Sequence, residues 1–318
     1  MSKEELINIK GLSKRFAFGR DELFAVDTLS LSIHAGEILG LVGESGCGKT
    51  TLGRILVRLL HQSEGSYRLD GWEVPDRLSP EERRQFARKV QMIFQDPSAS
   101  MNPRMTAGDI IAEGPAIQKI WQASERGDRI RHWLQRVGLR PDHAGRFPHE
   151  FSGGQKQRVC IARALAIEPR FVICDEPISA LDVSVQAQIV MLLRKLQQES
   201  QLTYLFIAHS IDMVRYVADR VGVMYLGRLV EIGLSQDVFS KPRHPYTEAL
   251  IAANPCPDPR IERERKKDIL GGEVALNLNK NPGCGFAIRC GKTMDQCKSE
   301  RPALKETSPG HWTACHLV

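Results

Sequence analysis

Eight residues constrain this chain more than any others. Gly43-Glu44-Ser45-Gly46-Cys47-Gly48-Lys49-Thr50 fits the pattern G-x-x-x-x-G-K-[ST]. The apolar run Ile38-Leu39-Gly40-Leu41-Val42 before it reads as a buried strand, and Leu52, Ile55, Leu56, Leu59 and Leu60 recur after it at helical spacing. Strand, glycine turn and helix in that order make a cradle for phosphate oxygens. The glycines let backbone N–H groups turn inward, and the helix start adds its positive end. Gly43, Ser45, Gly46 and Gly48 are the candidate cradle, with Thr51 in the first helical turn. Lys49 supplies a point charge for the β- and γ-phosphates and Thr50 a hydroxyl ligand for Mg²⁺. A chance glycine turn would lack these flanks.

A second run, Phe171-Val172-Ile173-Cys174-Asp175-Glu176, completes such a site. An apolar strand ending in Asp175 presents a carboxylate at the C-terminal edge of a sheet, where Mg²⁺ is held. Glu176 next to it can polarise an attacking water. Alone, the pair is as easily a cap at a strand end; beside a phosphate loop it reads as catalytic.

Strand-length runs at Val90–Phe94, Phe171–Cys174, Thr203–Ala208 and Val221–Leu226 alternate with amphipathic helices at Val183–Glu199 and Ile211–Ala218. This alternation predicts an α/β fold with a largely parallel sheet covered on both faces. Thr106–Leu139 carries helical periodicity without a strong strand, so a helical insertion is expected there. The composition shifts after Asn254: Pro255, Pro257 and Pro259, the charge run Arg260–Asp268, then a cysteine-bearing tail.

Phe151-Ser152-Gly153-Gly154-Gln155-Lys156-Gln157-Arg158 is another small-residue turn opening a helix, hence a second anion site. It resembles the signature of ABC-type ATPases, with Phe151 where Leu is commoner. The other elements of that family follow in order. Gln95 resembles the Q-loop glutamine, Ser179-Ala180-Leu181-Asp182 the D-loop, and His209 the switch histidine, although Ser210 stands where Asp is common. The resemblance implies a RecA-like core with an antiparallel β subdomain and a helical subdomain, about residues 96–165, within an ATPase domain over 1–254. Residues 255–318 would be a linker and a small Cys-rich extension.

The resemblance also implies roles. Gln95 would contact Mg²⁺ and the water, Glu176 would activate the water, and His209 would hold the γ-phosphate. Each ATP would lie between the phosphate loop of one subunit and Ser152, Gly153, Gly154 and Gln155 of another, with Asp182 at the dimer interface. Phe16 stands where the family usually stacks an aromatic on adenine; Phe18 and Phe24 are alternatives, as is a core role.

His244-Pro245-Tyr246-Thr247-Glu248-Ala249-Leu250, with Met224–Glu231, is similar to the ATP-binding subunits of oligopeptide, dipeptide and nickel importers, more so to the second of their paired ATPases. That implies a second ATPase subunit, two membrane permeases, an extracytoplasmic binding protein and a post at the cytoplasmic face of the membrane. Peptides are the expected cargo, with nickel or a metal chelate as the alternative. A soluble ABC ATPase acting on nucleic acid is the rival class. Those generally carry two ATPase modules or a coiled-coil insertion, and neither is present. Export is disfavoured by the His-Pro-Tyr segment.

Composition fits this reading. Lys+Arg 44 against Asp+Glu 38 leaves +6, too little to require a polynucleotide. Met1-Ser2-Lys3-Glu4-Glu5 does not read as a signal peptide, and no run approaches the ~18–20 apolar residues of a membrane span. A soluble, cytosolic protein is expected. Of eight cysteines, Cys284, Cys290, Cys297 and Cys315 fall in the tail, spaced x₅, x₆ and x₁₇. In a reducing compartment they read as metal ligands or free thiols. Thiolates suit zinc or iron–sulfur, and the tail resembles that of peptide-importer ATPases, some of which hold a [4Fe–4S] cluster. His311 and His316 are alternative ligands, and Cys47, Cys160, Cys174 and Cys256 read as small core or loop residues.

Overall fold

The computed structural model describes residues 4–253 and 282–318. The expected linker start, the charge run and Cys256 lie outside the described residues. The described strands are β1 (Glu5–Phe18), β2 (Asp21–His34), β3 (Ile38–Val42), β4 (Glu64–Leu69), β5 (Trp72–Glu73), β6 (Val90–Ile93), β7 (Phe171–Asp175), β8 (Thr203–Ile207), β9 (Arg220–Tyr225), β10 (Arg228–Leu234), β11 (Lys305–Ser308) and β12 (His311–Thr313). They fall in two compact units: the chain up to Val74 with Ala208 onward, and Pro75–Ile207.

The first unit holds an antiparallel sheet in the order β2-β1-β4-β5. Its long hairpin pairs Ile7 with Ile33, Ile9 with Leu31 and Leu12 with Leu29, so branched side chains meet across the strands on a buried face. Register shifts interrupt β1, which bends the ribbon. The unit's other strands run β11-β12-β10-β9-β3. β3 pairs with β9 in parallel and is buried throughout, as its continuous apolar sequence predicts. The helix Lys49–Leu56 follows β3 through the glycine turn. It stops one turn short of the apolar repeat: Arg58 takes φ 61° and Leu59 is 58 % exposed.

The extension after residue 282 packs into this same unit. Phe286 and Cys297 are buried, and the β11–β12 hairpin pairs onto β10 through Glu231↔Thr313 and Ile232↔Trp312. Four of its basic side chains reach carboxylates of the unit, Lys292 Nζ lying 2.8 Å from Glu248 Oε2. Arg301 Nη1 lies 3.1 Å from Asp27 Oδ2, Arg289 pairs with Glu44 at 2.8 Å, and His311 Nε2 lies 2.7 Å from Glu231 Oε1. Burial alone would push the Asp27 carboxyl up, but Arg228 and Arg301 outweigh it and hold it below the usual carboxylate range.

The second unit carries the parallel strands β8-β7-β6, with Val172 opposite both Gln91 and Tyr204. Ser79 and Glu82 form a capping box on the helix Pro80–Lys89. The helices Ala107–Gln118 and Arg126–Arg136 occupy the stretch expected to be helical, and Gly153–Leu165 and Val183–Ser200 follow. Cys160 and Cys174 are buried, and Cys174 carries a thiol that burial pushes far up, which agrees with a core role.

Candidate nucleotide site

In the first unit β3 delivers the chain into the loop 43–48. Gly43 takes φ 154°, where a Cβ would strike the Met224 carbonyl oxygen and the Cys47 thiol. Gly48 takes φ 103° against the Ala25 carbonyl oxygen, a position closed to any side chain. Gly48 is the N-cap of the helix Lys49–Leu56, and no side chain caps that helix start. A helix start with a glycine N-cap is of the kind that binds anions. Ser45 and Gly46 are exposed on the turn, while Lys49 is buried. Lys49 Nζ donates to Gly43 O at 2.8 Å and Glu44 O at 3.0 Å, which folds the ammonium over the cradle. Thr50 and Thr51 follow in the first turn, half-buried.

The loop is braced from outside the motif. Gly227 N donates to Cys47 O at 2.9 Å. Glu44 N donates to Tyr246 Oη at 2.9 Å, and the Glu44 carboxylate accepts both terminal nitrogens of Arg289, at 2.8 and 2.9 Å. His209 is exposed, one residue after Ala208, whose N–H donates to Leu41 O at 3.2 Å. The histidine thus stands beside the strand that feeds the loop.

Of the three aromatics considered for adenine, Phe16 and Phe18 are exposed, and Lys14 Nζ sits 5.1 Å from the Phe16 ring centroid. Phe24 is 4 % exposed and belongs to the core, so it offers no face for a base.

In the second unit the strand β7 ends on Asp175, which is buried, and Glu176 follows with φ 45°. A glutamate in the left-handed region costs about 1–2 kcal/mol, and such strain collects at functional sites. Glu176 N is held by Ile207 O at 3.0 Å. Its carboxylate Oε2 accepts a hydrogen bond from Gln95 Nε2 at 2.8 Å, so the structure brings these two together. Ser152 caps the helix Gly153–Leu165: its Oγ accepts from Gln155 N at 3.4 Å while Gln155 Oε1 accepts from Ser152 N at 3.1 Å. Gly153 and Gly154 leave room for the side chains of Leu181 and Val185. Asp182 is exposed at the N-cap of Val183–Ser200 and makes no capping bond.

The Thr50 hydroxyl in the first unit, and the Gln95 amide and Asp175 carboxylate in the second, are each hard oxygen ligands of the kind Mg²⁺ takes. The tail thiols fit less well. Cys284, Cys290, Cys297 and Cys315 are free thiols. Burial pushes the Cys284 and Cys315 thiols up, and the neighbouring cysteines add to it, so the four lie within electrostatic reach. Cys284 N also donates to Cys297 O at 2.7 Å. Among the described residues, however, no group of three or more His, Cys, Asp and Glu side chains meets as a metal site. The cysteines are neighbours without being a ligand set. A cavity of about 700 Å³ lies beside them, lined in part by Asp27, Arg228, Cys284, Phe286, Arg301 and Trp312. No residue of the phosphate loop lines it.

Comparison with known proteins decides the family. The ABC transporter family matches residues 26–179, and the oligopeptide/dipeptide transporter C-terminal region matches residues 230–297. The oligopeptide transport ATP-binding protein OppF of Bacillus subtilis (strain 168) is 49 % identical over 313 residues, covering 98 % of this chain and 96 % of that protein. The chain belongs to the ABC transporter family. A second oligopeptide transport ATP-binding protein of Bacillus subtilis (strain 168), AppF, is 45 % identical over 325 residues, covering 99 % of this chain and 98 % of its own length. This ABC ATPase also resembles solved cassettes. The ATP-binding cassette MJ0796, dimeric in a post-hydrolysis state bound to ADP and Pi, superposes with a TM-score of 0.66 at 28 % identity, over 72 % of this chain and 98 % of its own. The cbiO1 protein of Clostridium perfringens, part of the ABC transporter complex cbiONQ, gives 0.67 at 27 % identity, over 75 % and 92 %.

Sequence reasoning missed Arg289 and gave no role to Glu44 or Tyr246. A carboxylate inside a phosphate loop is a signal that a cation must sit near it. The partner lies 245 residues away in sequence, where no local pattern points to it.

Proposed function

We propose that this ABC ATPase energises peptide import, working as one half of a head-to-tail pair of ATPases beneath two permease subunits at the cytoplasmic face of the membrane. An extracytoplasmic binding protein delivers the peptide. The observation that carries this reading is one chain holding a complete phosphate loop, Gly43–Thr50, and an oligopeptide/dipeptide transporter C-terminal region over 230–297. Among the described residues no helix is long and apolar enough to cross a membrane, so the lipid crossing falls to partners. Nothing in the chain's +6 charge calls for nucleic acid.

In this reading the triphosphate lies along the loop N–H groups and Lys49 releases the loop carbonyls to meet it. Phe16 stacks on adenine. Thr50, Gln95 and Asp175 would hold Mg²⁺, which would supply positive charge against the phosphates. Glu176 orients and deprotonates the attacking water, with Gln95 fixing its carboxylate. His209 donates to the γ-phosphate. Ser152, Gly153, Gly154 and Gln155 of the other ATPase cap the same phosphate from the opposite side, and Asp182 lies along that interface. ATP drives closure because it binds the closed pair more tightly than the open one. Hydrolysis removes that difference and reopens the pair.

The iron–sulfur reading of Cys284, Cys290, Cys297 and Cys315 rests on four thiols in mutual electrostatic reach and on no converged ligand set. No step of the cycle runs through it. Anaerobic purification tests it: brown protein with stoichiometric iron supports a cluster, and colourless, iron-free protein removes it.

The test of the whole reading is reconstitution with the permeases in vesicles loaded with MgATP. Peptide accumulation that requires this chain supports it. Transport of nickel but not peptide, or retention of RNA without permeases, contradicts it.

A further inference from the structure

We propose that the C-terminal extension is a working part of the nucleotide site, and that Arg289 is its positioning residue, setting the phosphate loop through Glu44. The inference rests on the reading of Gly43–Thr50 as the triphosphate cradle and adds a residue outside every motif of that site.

Glu44 is the second residue of the loop, and all of its polar groups are held. Its N–H donates to Tyr246 Oη at 2.9 Å, its carbonyl accepts from Lys49 Nζ at 3.0 Å, and its carboxylate takes both Arg289 terminal nitrogens. The Arg289 pairing is bidentate, Nη1 to Oε2 at 2.8 Å and Nη2 to Oε1 at 2.9 Å. A planar fork of this kind fixes orientation as well as distance. The pair is largely withdrawn from water, with side-chain exposures of 7 % for Arg289 and 19 % for Glu44.

Arg289 is itself anchored. Its N–H donates to Phe286 O at 3.0 Å, its Nη1 lies 3.4 Å from Tyr225 Oη, and its guanidinium carbon is 5.9 Å from the Tyr225 ring centroid. Phe286 is buried with its ring 5.4 Å from both Tyr225 and Tyr246. The turn bearing Cys284 and Cys290 is therefore pinned by an aromatic plug, and it presents one guanidinium to one loop carboxylate.

Two consequences follow for an anionic ligand. An unpaired Glu44 carboxylate in the loop would repel a triphosphate, and Arg289 cancels that charge. The fork also restrains the loop in the form that receives phosphate, so less order has to be imposed on binding. Loss of Arg289 leaves a half-buried carboxylate without its counter-ion, which is worse than losing both charges.

The experiment is equilibrium titration of the full chain with MgATP and MgADP, in Arg289→Met, Glu44→Gln, the double variant and Arg289→Lys. Arg289→Met is expected to raise the MgATP dissociation constant about tenfold or more, with a smaller effect on MgADP, as a charge effect requires. Glu44→Gln alone also breaks the fork and is expected to weaken MgATP binding by about three- to tenfold, less than Arg289→Met because it leaves no negative charge facing the phosphates. Added to Arg289→Met it is expected to restore the part of the affinity lost to the unpaired charge, a coupling that general damage to the extension would not produce. Wild-type affinity in Arg289→Met, or no restoration in the double variant, overturns the proposal. Arg289→Lys keeps the charge but loses the fork and covers the case in which Arg289→Met does not fold; its expected weakening is about threefold, and an unchanged affinity counts against the proposal. If the wild-type chain binds no MgATP, the cradle reading fails first and this inference with it.

Discussion

Gln95 Nε2 donates to Glu176 Oε2 at 2.8 Å, joining the second residue past β6 to the residue after β7. That bond orients the carboxylate of Glu176, whose backbone sits in the left-handed region. Gln95→Ala removes that bond. The expected outcome is a fall in ATP turnover of about 10–100-fold, consistent with a misaligned general base, and a smaller loss of MgATP affinity because one proposed Mg²⁺ ligand goes with it. Steady-state ATPase assays alongside nucleotide titration check the split.

Gly48 tests the cradle. Its φ of 103° and the Ala25 carbonyl oxygen facing its α-carbon leave no space for a methyl group. Gly48→Ala is expected to destabilise the fold by about 1–3 kcal/mol and to weaken MgATP binding more than tenfold. Thermal unfolding and nucleotide titration of the same preparation measure both.

The legibility of this chain in its sequence divides along the range of the interactions. The strand Ile38–Val42, the loop and the helix after it are contiguous, so pattern alone predicts them, and the same holds for Phe171–Asp175 and the helix opened by Ser152. The helix end at Leu56 departs from the apolar repeat because Leu59 and Leu60 keep the pattern without keeping the backbone, which turns at Arg58. Phe24 and Phe16 look alike in sequence, and only packing separates a core ring from an exposed one. The carboxylate clamps Asp27–Arg301, Glu44–Arg289 and Glu231–His311 span long stretches of chain, so no local periodicity reports them. The four tail cysteines suggest a ligand set by count, but spacing does not say which way thiols point, and among the described residues they form no group of three or more that could hold a metal.

His244 makes acid sensitivity predictable. It is 1 % exposed, and its Nδ1 accepts the Tyr246 N–H at 3.0 Å, a bond that requires an unprotonated nitrogen. Burial pushes its pKa down from 6.5 to about 4. The folded chain therefore takes up this proton later than the unfolded chain. Its contribution is fully present above about pH 6.5, is lost as pH falls toward 4, and does not change further below that. The linked loss is about 3 kcal/mol over that window. His244→Asn keeps a side-chain acceptor for Tyr246 N–H and removes the titration. Urea unfolding at pH 7.5 and pH 4.5 is expected to show a smaller drop in the variant than in the wild type; equal drops would remove His244 as the cause.

The proposed cycle turns on Glu176 activating water. The most direct measurement is ATP hydrolysis by the assembled transporter carrying Glu176→Gln, with the partner ATPase's own site silenced. Glutamine keeps the size and a hydrogen-bonding partner for Gln95 but cannot accept the proton. Turnover is predicted to fall by about 10²–10⁴ while MgATP stays bound and the ATPase pair stays closed. Near-normal hydrolysis in that complex would contradict the assignment.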